Sequence, residues 1–211
     1  ESALGDVGAE SSDLVAHEDL PDLPDPLTLG GPLANVFLSN PVSEQGQTRV
    51  AALRHLEDAE GHLTGAWAHV SNCRRGQGGA EGPLPVPGFC EPYQTVTSGA
   101  DGTYLHVSPP DDLLDPEDPF AEVMMYYHVT RVHDWFVDAQ QVTWMDWRMP
   151  AVVNLGEWSE GAWVPFDNAA FMARESAAIV GFDVGDAPGA IIFGQGEHVD
   201  YSYDASVVYH E

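Results

Sequence analysis

An α+β fold is predicted for this chain, and three observations predict it. Short apolar runs separated by turn residues fill positions 30 to 107, one long and almost uniformly apolar helical segment spans 119 to 138, and strand-like runs resume from 151. Strands and helix come in blocks instead of strict alternation, which argues for segregated α+β layers. With 211 residues the chain can hold one sizeable core or two small ones. Three units are expected: a leader over 1–29, a β-rich region over 30–110 and an α+β lobe over 111–211.

Charge bounds function more sharply than fold. Thirty-four acidic side chains face seven Arg and no Lys, for a formal net charge of -27. A surface this negative repels phosphate backbones, which argues against a nucleic-acid partner, and it attracts cations, calcium among them. No apolar run reaches the length of a membrane span. The chain starts at Glu1 without a signal peptide, as expected for a processed or excised segment. Cys73 and Cys90 bracket a Gly- and Pro-rich stretch and form neither a CxxC pair nor half of a zinc knuckle. A disulfide closing this loop and two free thiols in a reducing compartment are the two readings. The first implies a secreted, extracellular or periplasmic protein.

Residues 1–29 carry eight acids and no base and contain P-D-L-P-D-P, the composition of a solvated leader or linker. Ala34 to Leu38 is an apolar run closed by the turn Ser39-Asn40-Pro41. Arg49 to Leu56 fits either a strand or a helical turn. Leu63 to Val70 alternates, and Tyr93–Thr97 and Thr103–Val107 are further strands, so a small antiparallel sheet is expected here. His55, His62, His69 and His106 lack ligand spacing and read as surface or hydrogen-bonded histidines.

The acid-dense run Asp111 to Asp118 lacks the Gly turn and ligand alternation of an EF-hand, so it reads as capping and solvation. Asp118-Pro119 is an N-cap followed by proline in the first turn. The helix then shows two stripes, Met125/Val129/Val132/Phe136 and Phe120/Met124/Tyr127, which predicts packing on more than one side. His128 and His133 lie five apart and do not share a face. Ala151–Leu155 and Gly161–Phe166 read as strands, followed by D-N-A-A-F-M at Asp167–Met172. Ala190–Gly196 reads as a strand meeting a tight turn, without the Lys of a phosphate loop. Finally Tyr201 to Glu211 reads as a loop entering a helix near Asp204 or Ser206, which delivers the pair His210-Glu211.

A His-Glu pair alone says little, since His17-Glu18 is another in the leader. The order of the later pieces says more. Y-Y-H-V-T-R-V-H-D-W-F, then N-A-A-F-M, then I-I-F-G-Q-G, then D-A-S-V-V-Y-H-E resembles the thermolysin and fungalysin families of zinc metallopeptidases over roughly 118–211. The resemblance implies a thermolysin-like N-terminal lobe, zinc as cofactor and a peptide or protein substrate. His210 is implied as the first zinc ligand of H-E-x-x-H, and Glu211 as the general base that activates the metal-bound water. Asn168 and Ala169 are implied as the edge-strand pair that holds the substrate backbone. Chemistry agrees, because an extended peptide adds to an open sheet edge and a side-chain amide both donates and accepts.

Two departures matter. N-A-A-F stands where the family more often has N-A-F, and Ser206 stands where the family has a calcium-binding Asp four residues before the first His, so calcium is unsupported. The second His, the downstream Glu ligand and the groups that stabilise the tetrahedral intermediate are expected beyond Glu211, in a C-terminal lobe or a partner chain. One His cannot hold a catalytic zinc, so the 211 residues alone are not expected to hydrolyse peptides. The alternative is a non-catalytic extracellular module that keeps the peptidase fold for packing or binding. A calcium-dependent binder using the acidic loops is the third reading.

A Cys73–Cys90 disulfide predicts that reduction adds the mass of two hydrogens to the intact chain and lowers its unfolding free energy by about 3 kcal/mol. Mass spectrometry with urea titration checks both, and thiols that react freely without reductant would exclude the bond.

Overall fold

The structure, a computed structural model, describes residues 30–74, 91–111, 118–159, 162–179, 182–196 and 200–211. The leader, Cys90, Gly161 and residues 112–117 of the acidic run lie outside the described residues.

The fold is α+β. Strands β1 (Leu33–Val36) and β2 (Arg49–Ala52) form a two-stranded antiparallel sheet in which Leu33 faces Ala52. The Arg49–Leu56 segment is therefore strand at first, and then bends through His55, whose φ is 61°. A second sheet contains β3 (Ala68–Arg74), β4 (Glu91–Tyr93), β5 (Met149–Ser159), β6 (Ala162–Pro165), β7 (Ala169–Ala173) and β8 (Gly189–Gly194). Its order is β4-β3-β5-β8-β7, with β6 paired to β5. Both β3 and β8 run parallel to β5, while β7 runs antiparallel to β8 and forms an edge.

Three expectations are corrected. The strand expected over Leu63–Val70 begins only at Ala68, because the backbone of Gly65 and Ala66 bonds to Ala68 and His55 in a tight turn. Thr103–Val107 makes only a bridge from Tyr104 to Ala34, since the Asp101 carboxylate accepts from the Thr103 N–H (2.9 Å) and closes a turn. The expected antiparallel sheet over this region is split. β1 and β2 stand apart, and β3 joins β5 in parallel, because the long helix between them provides the crossover that parallel neighbours require.

That helix, α1, spans Pro119–Asp138 as expected, with the Asp118 carboxylate accepting from the N–H groups of Phe120 (2.8 Å) and Ala121 (3.0 Å). Every residue from Phe120 to Thr130 is buried, including Glu122 and His128. The two-stripe pattern thus means passage through the core. On the α1 face of the sheet lie Val70, Ala151, Val153, Ile191 and Phe193. Alternation sends Cys73, Val152, Ala190 and Ile192 to the other face, where Phe182, Val184 and Ala177 of the short helix α2 (Arg174–Ile179) cover them.

β5 carries one irregularity that matters. Between Val152 and Leu155 its register against β8 shifts, and Asn154 takes φ 57°. Such a bulge redirects a side chain. Here it turns the Asn154 amide toward α1, where its Nδ2 donates to the Asp118 carbonyl (2.9 Å) and to Asn72 Oδ1 (3.2 Å).

Burial sets the pH response. Desolvation pushes Glu122 up to about 7, although Thr95 and Val96 N–H groups and the Thr95 hydroxyl donate to its carboxylate. Desolvation likewise raises Asp200 to about 7, and desolvation lowers His128 to about 3. The two acids contribute stability that is full below their ordinary values of 4.5 and 3.8 and is lost as pH rises through about 7. His128 contributes stability that is full above 6.5 and is lost as pH falls toward 3. Thermal melts are therefore expected to show higher stability near pH 5 than near pH 8, and Glu122→Gln or Asp200→Asn should flatten that fall.

Candidate functional site

The site region lies where the end of the chain meets the open edge of β7. A short 3-10 turn, Tyr201–Tyr203, leads into α3 (Ala205–His210), and Asp204 caps α3 by accepting from the Ser206 N–H (2.8 Å) and hydroxyl (2.6 Å). Ala205 N–H donates to the Ser39 carbonyl (2.8 Å), which ties the helix start to the loop after β1. Tyr203 is fully buried, and its hydroxyl donates to the Asp118 carboxylate. The same carboxylate therefore caps α1 and anchors the turn that launches α3.

On β7 the hydrogen bonds from Gly194 N–H to Asn168 O and from Arg174 N–H to Pro188 O mark the pairs that face β8. Alternation along an antiparallel ladder then turns the N–H and C=O of Ala169, Phe171 and Ala173 outward. Glu211 Oε2 accepts from the Phe171 N–H (3.0 Å) on that outer edge. Gly194 closes the strand before the turn because a Cβ there would collide with the Phe166 carbonyl.

Each predicted site residue can now be located. Ala169 is buried on β7, and Asn168, just before it, is exposed, with its carbonyl paired to Gly194. His210 and Glu211 are both exposed at the end of α3. Glu211 is thereby brought to the edge strand at Phe171, two residues beyond Ala169. Among the described residues no group of three or more His, Cys, Asp or Glu gathers in a way that could hold a metal. His210 and Glu211 alone do not make the donor set of a catalytic zinc, which needs three protein ligands.

Two residues of the site escaped sequence reasoning. Phe171 supplies the outward N–H, and only the strand's pairing shows that its parity faces out. Tyr209 reaches back to His128 Nδ1 (3.0 Å), a contact across 81 positions that no local pattern signals.

Comparison with protein-family models, curated proteins and solved structures finds no match for this chain.

Asp118→Ala is expected to cost about 3 kcal/mol or more, because it strips two helix N–H groups and the Tyr203 hydroxyl of one buried acceptor. Urea denaturation of this variant beside Asp118→Asn, which keeps one carbonyl oxygen and should recover part of the loss, checks it.

Proposed function

We propose that this chain forms the N-terminal lobe of a secreted zinc endopeptidase, with β7 holding an extended peptide and Glu211 serving as general base. One observation carries the proposal: the Glu211 carboxylate sits on the Phe171 N–H (3.0 Å) of an open sheet edge, beside an exposed His210. A peptide strand laid along β7 would exchange main-chain hydrogen bonds with the outward groups of Ala169 and Ala173 and with the Phe171 carbonyl, the Phe171 N–H being taken by Glu211. The exposed Asn168 amide flanks the same edge and would hold a further peptide group. This brings a scissile amide next to a carboxylate able to take a proton from water. Zinc, held by His210 and two ligands from outside these residues, would supply Lewis-acid polarisation and acidify that water.

A second reading, a non-catalytic peptide-binding module, draws on the same edge. Strand addition at β7 needs no metal, and the described residues gather no three-donor group.

In the full-length protein, Glu211→Gln is expected to lower kcat on casein by about 10²–10⁴-fold with zinc content unchanged. His210→Ala should lose zinc as well as activity, read by elemental analysis. A full-length protein with no zinc and no chelator-sensitive hydrolysis would eliminate the peptidase and leave the binding module, whose sign is a peptide-dependent shift of the Ala169 and Phe171 amide resonances.

A further inference from the structure

We propose that His128 is a positioning residue for Glu211: its hydrogen bond to the Tyr209 hydroxyl fixes the rotation of α3 and thereby turns the end of that helix toward the edge of β7. The bearing of this on catalysis rests on the peptidase reading; the geometry does not.

His128 sits in α1 with no exposed surface, and its Nδ1 lies 3.0 Å from the Tyr209 hydroxyl. The two rings meet edge to face at 5.5 Å, and Tyr127 closes the other side at 5.0 Å. Burial, with Arg131 nearby, keeps the ring neutral, while a hydrogen bond with the Phe37 backbone works the other way. A neutral imidazole has one donor and one acceptor, so one nitrogen serves Tyr209 and the other is left for the Phe37 backbone. The bond to Tyr209 is directional in a way that an apolar contact is not.

The other polar ties of α3 over Ala205–His210, the Asp204 cap and the Ala205 bond to Ser39, act on its first turn. Ala205 and Val208 are buried and Val207 packs against the same core, which turns that face of α3 inward, and the Tyr209 bond adds a directional contact to it. At the far end Tyr209 alone is hydrogen-bonded to α1 among the described contacts. Successive helical side chains are about 100° apart. With Tyr209 pinned on α1, His210 stands about 100° round the axis, and Glu211, the C-cap that follows, has its carboxylate on the Phe171 N–H of β7.

Amide hydrogen exchange of the 211-residue chain, followed by NMR, tests the proposal without metal or hydrolysis. Glu211→Ala should speed exchange at Phe171 about tenfold and so define the signature of a lost contact. Tyr209→Phe and His128→Leu should give the same acceleration, while the amides of Ala170 and Met172, which face β8, stay as they were. His128→Asn, whose carboxamide occupies the place of Nδ1, should restore slow exchange. An unchanged Phe171 amide in Glu211→Ala or Tyr209→Phe overturns the proposal, as does failure of His128→Asn to rescue. Should His128→Leu not fold, Tyr209→Phe decides, since it removes a single oxygen. Loss of the peptidase reading, by absence of zinc in the full-length protein, would leave this outcome standing.

Discussion

The structure depends on one buried residue, Asp118. Its carboxylate satisfies the first N–H groups of α1 and accepts from Tyr203, while its carbonyl accepts from Asn154 (2.9 Å) and from Asn72 (3.4 Å). Four pieces distant in sequence, namely β3, α1, β5 and the turn before α3, therefore meet at one amino acid. Buried polar groups carry a heavy penalty when unpaired and fix geometry when paired. That is why the joint specifies the arrangement and hydrophobic burial alone would not. A core of aliphatic side chains could let α1 slide along the sheet; a capped helix end bonded to two strands cannot.

From that joint the constraint travels outward along α1. Glu122 gathers the backbone of Thr95 and Val96, Tyr126 donates its hydroxyl to the Arg54 carbonyl (2.7 Å), and His128 holds Tyr209. Each is a polar contact from a core helix to a loop or short element with little packing of its own. α1 thus acts as the spine on which the less regular parts are hung. The arrangement also makes the protein sensitive to pH, since Glu122 and Asp200 fold in preference as neutral acids.

The histidines show how tertiary contacts sort residues that look alike in sequence. His55 meets Asp134 (3.0 Å), His62 the Val96 carbonyl (3.1 Å), His69 the Thr64 hydroxyl (2.9 Å), and His133 stacks on Trp67 at 4.0 Å. These rings are occupied with holding loops. His210, by contrast, is exposed at the end of α3.

Sequence by itself determined the elements that local rules govern. Asp118-Pro119 and the two apolar stripes marked α1, and the run at Ala190 located β8, while the edge strand at β7 was implied only by the resemblance. It named His210, Glu211, Asn168 and Ala169 from motif order. It could not decide that β3 runs parallel to β5, that Asn154 bulges, or that Glu211 lies on Phe171, because these depend on partners from 36 to 82 positions away. Periodicity reports which face of an element is apolar, and capping reports where a helix begins. Only the folded chain decides which strand becomes an edge, which N–H groups that edge leaves outward, and which carboxylate reaches them, since each is a property of neighbours in space and not of neighbours in sequence.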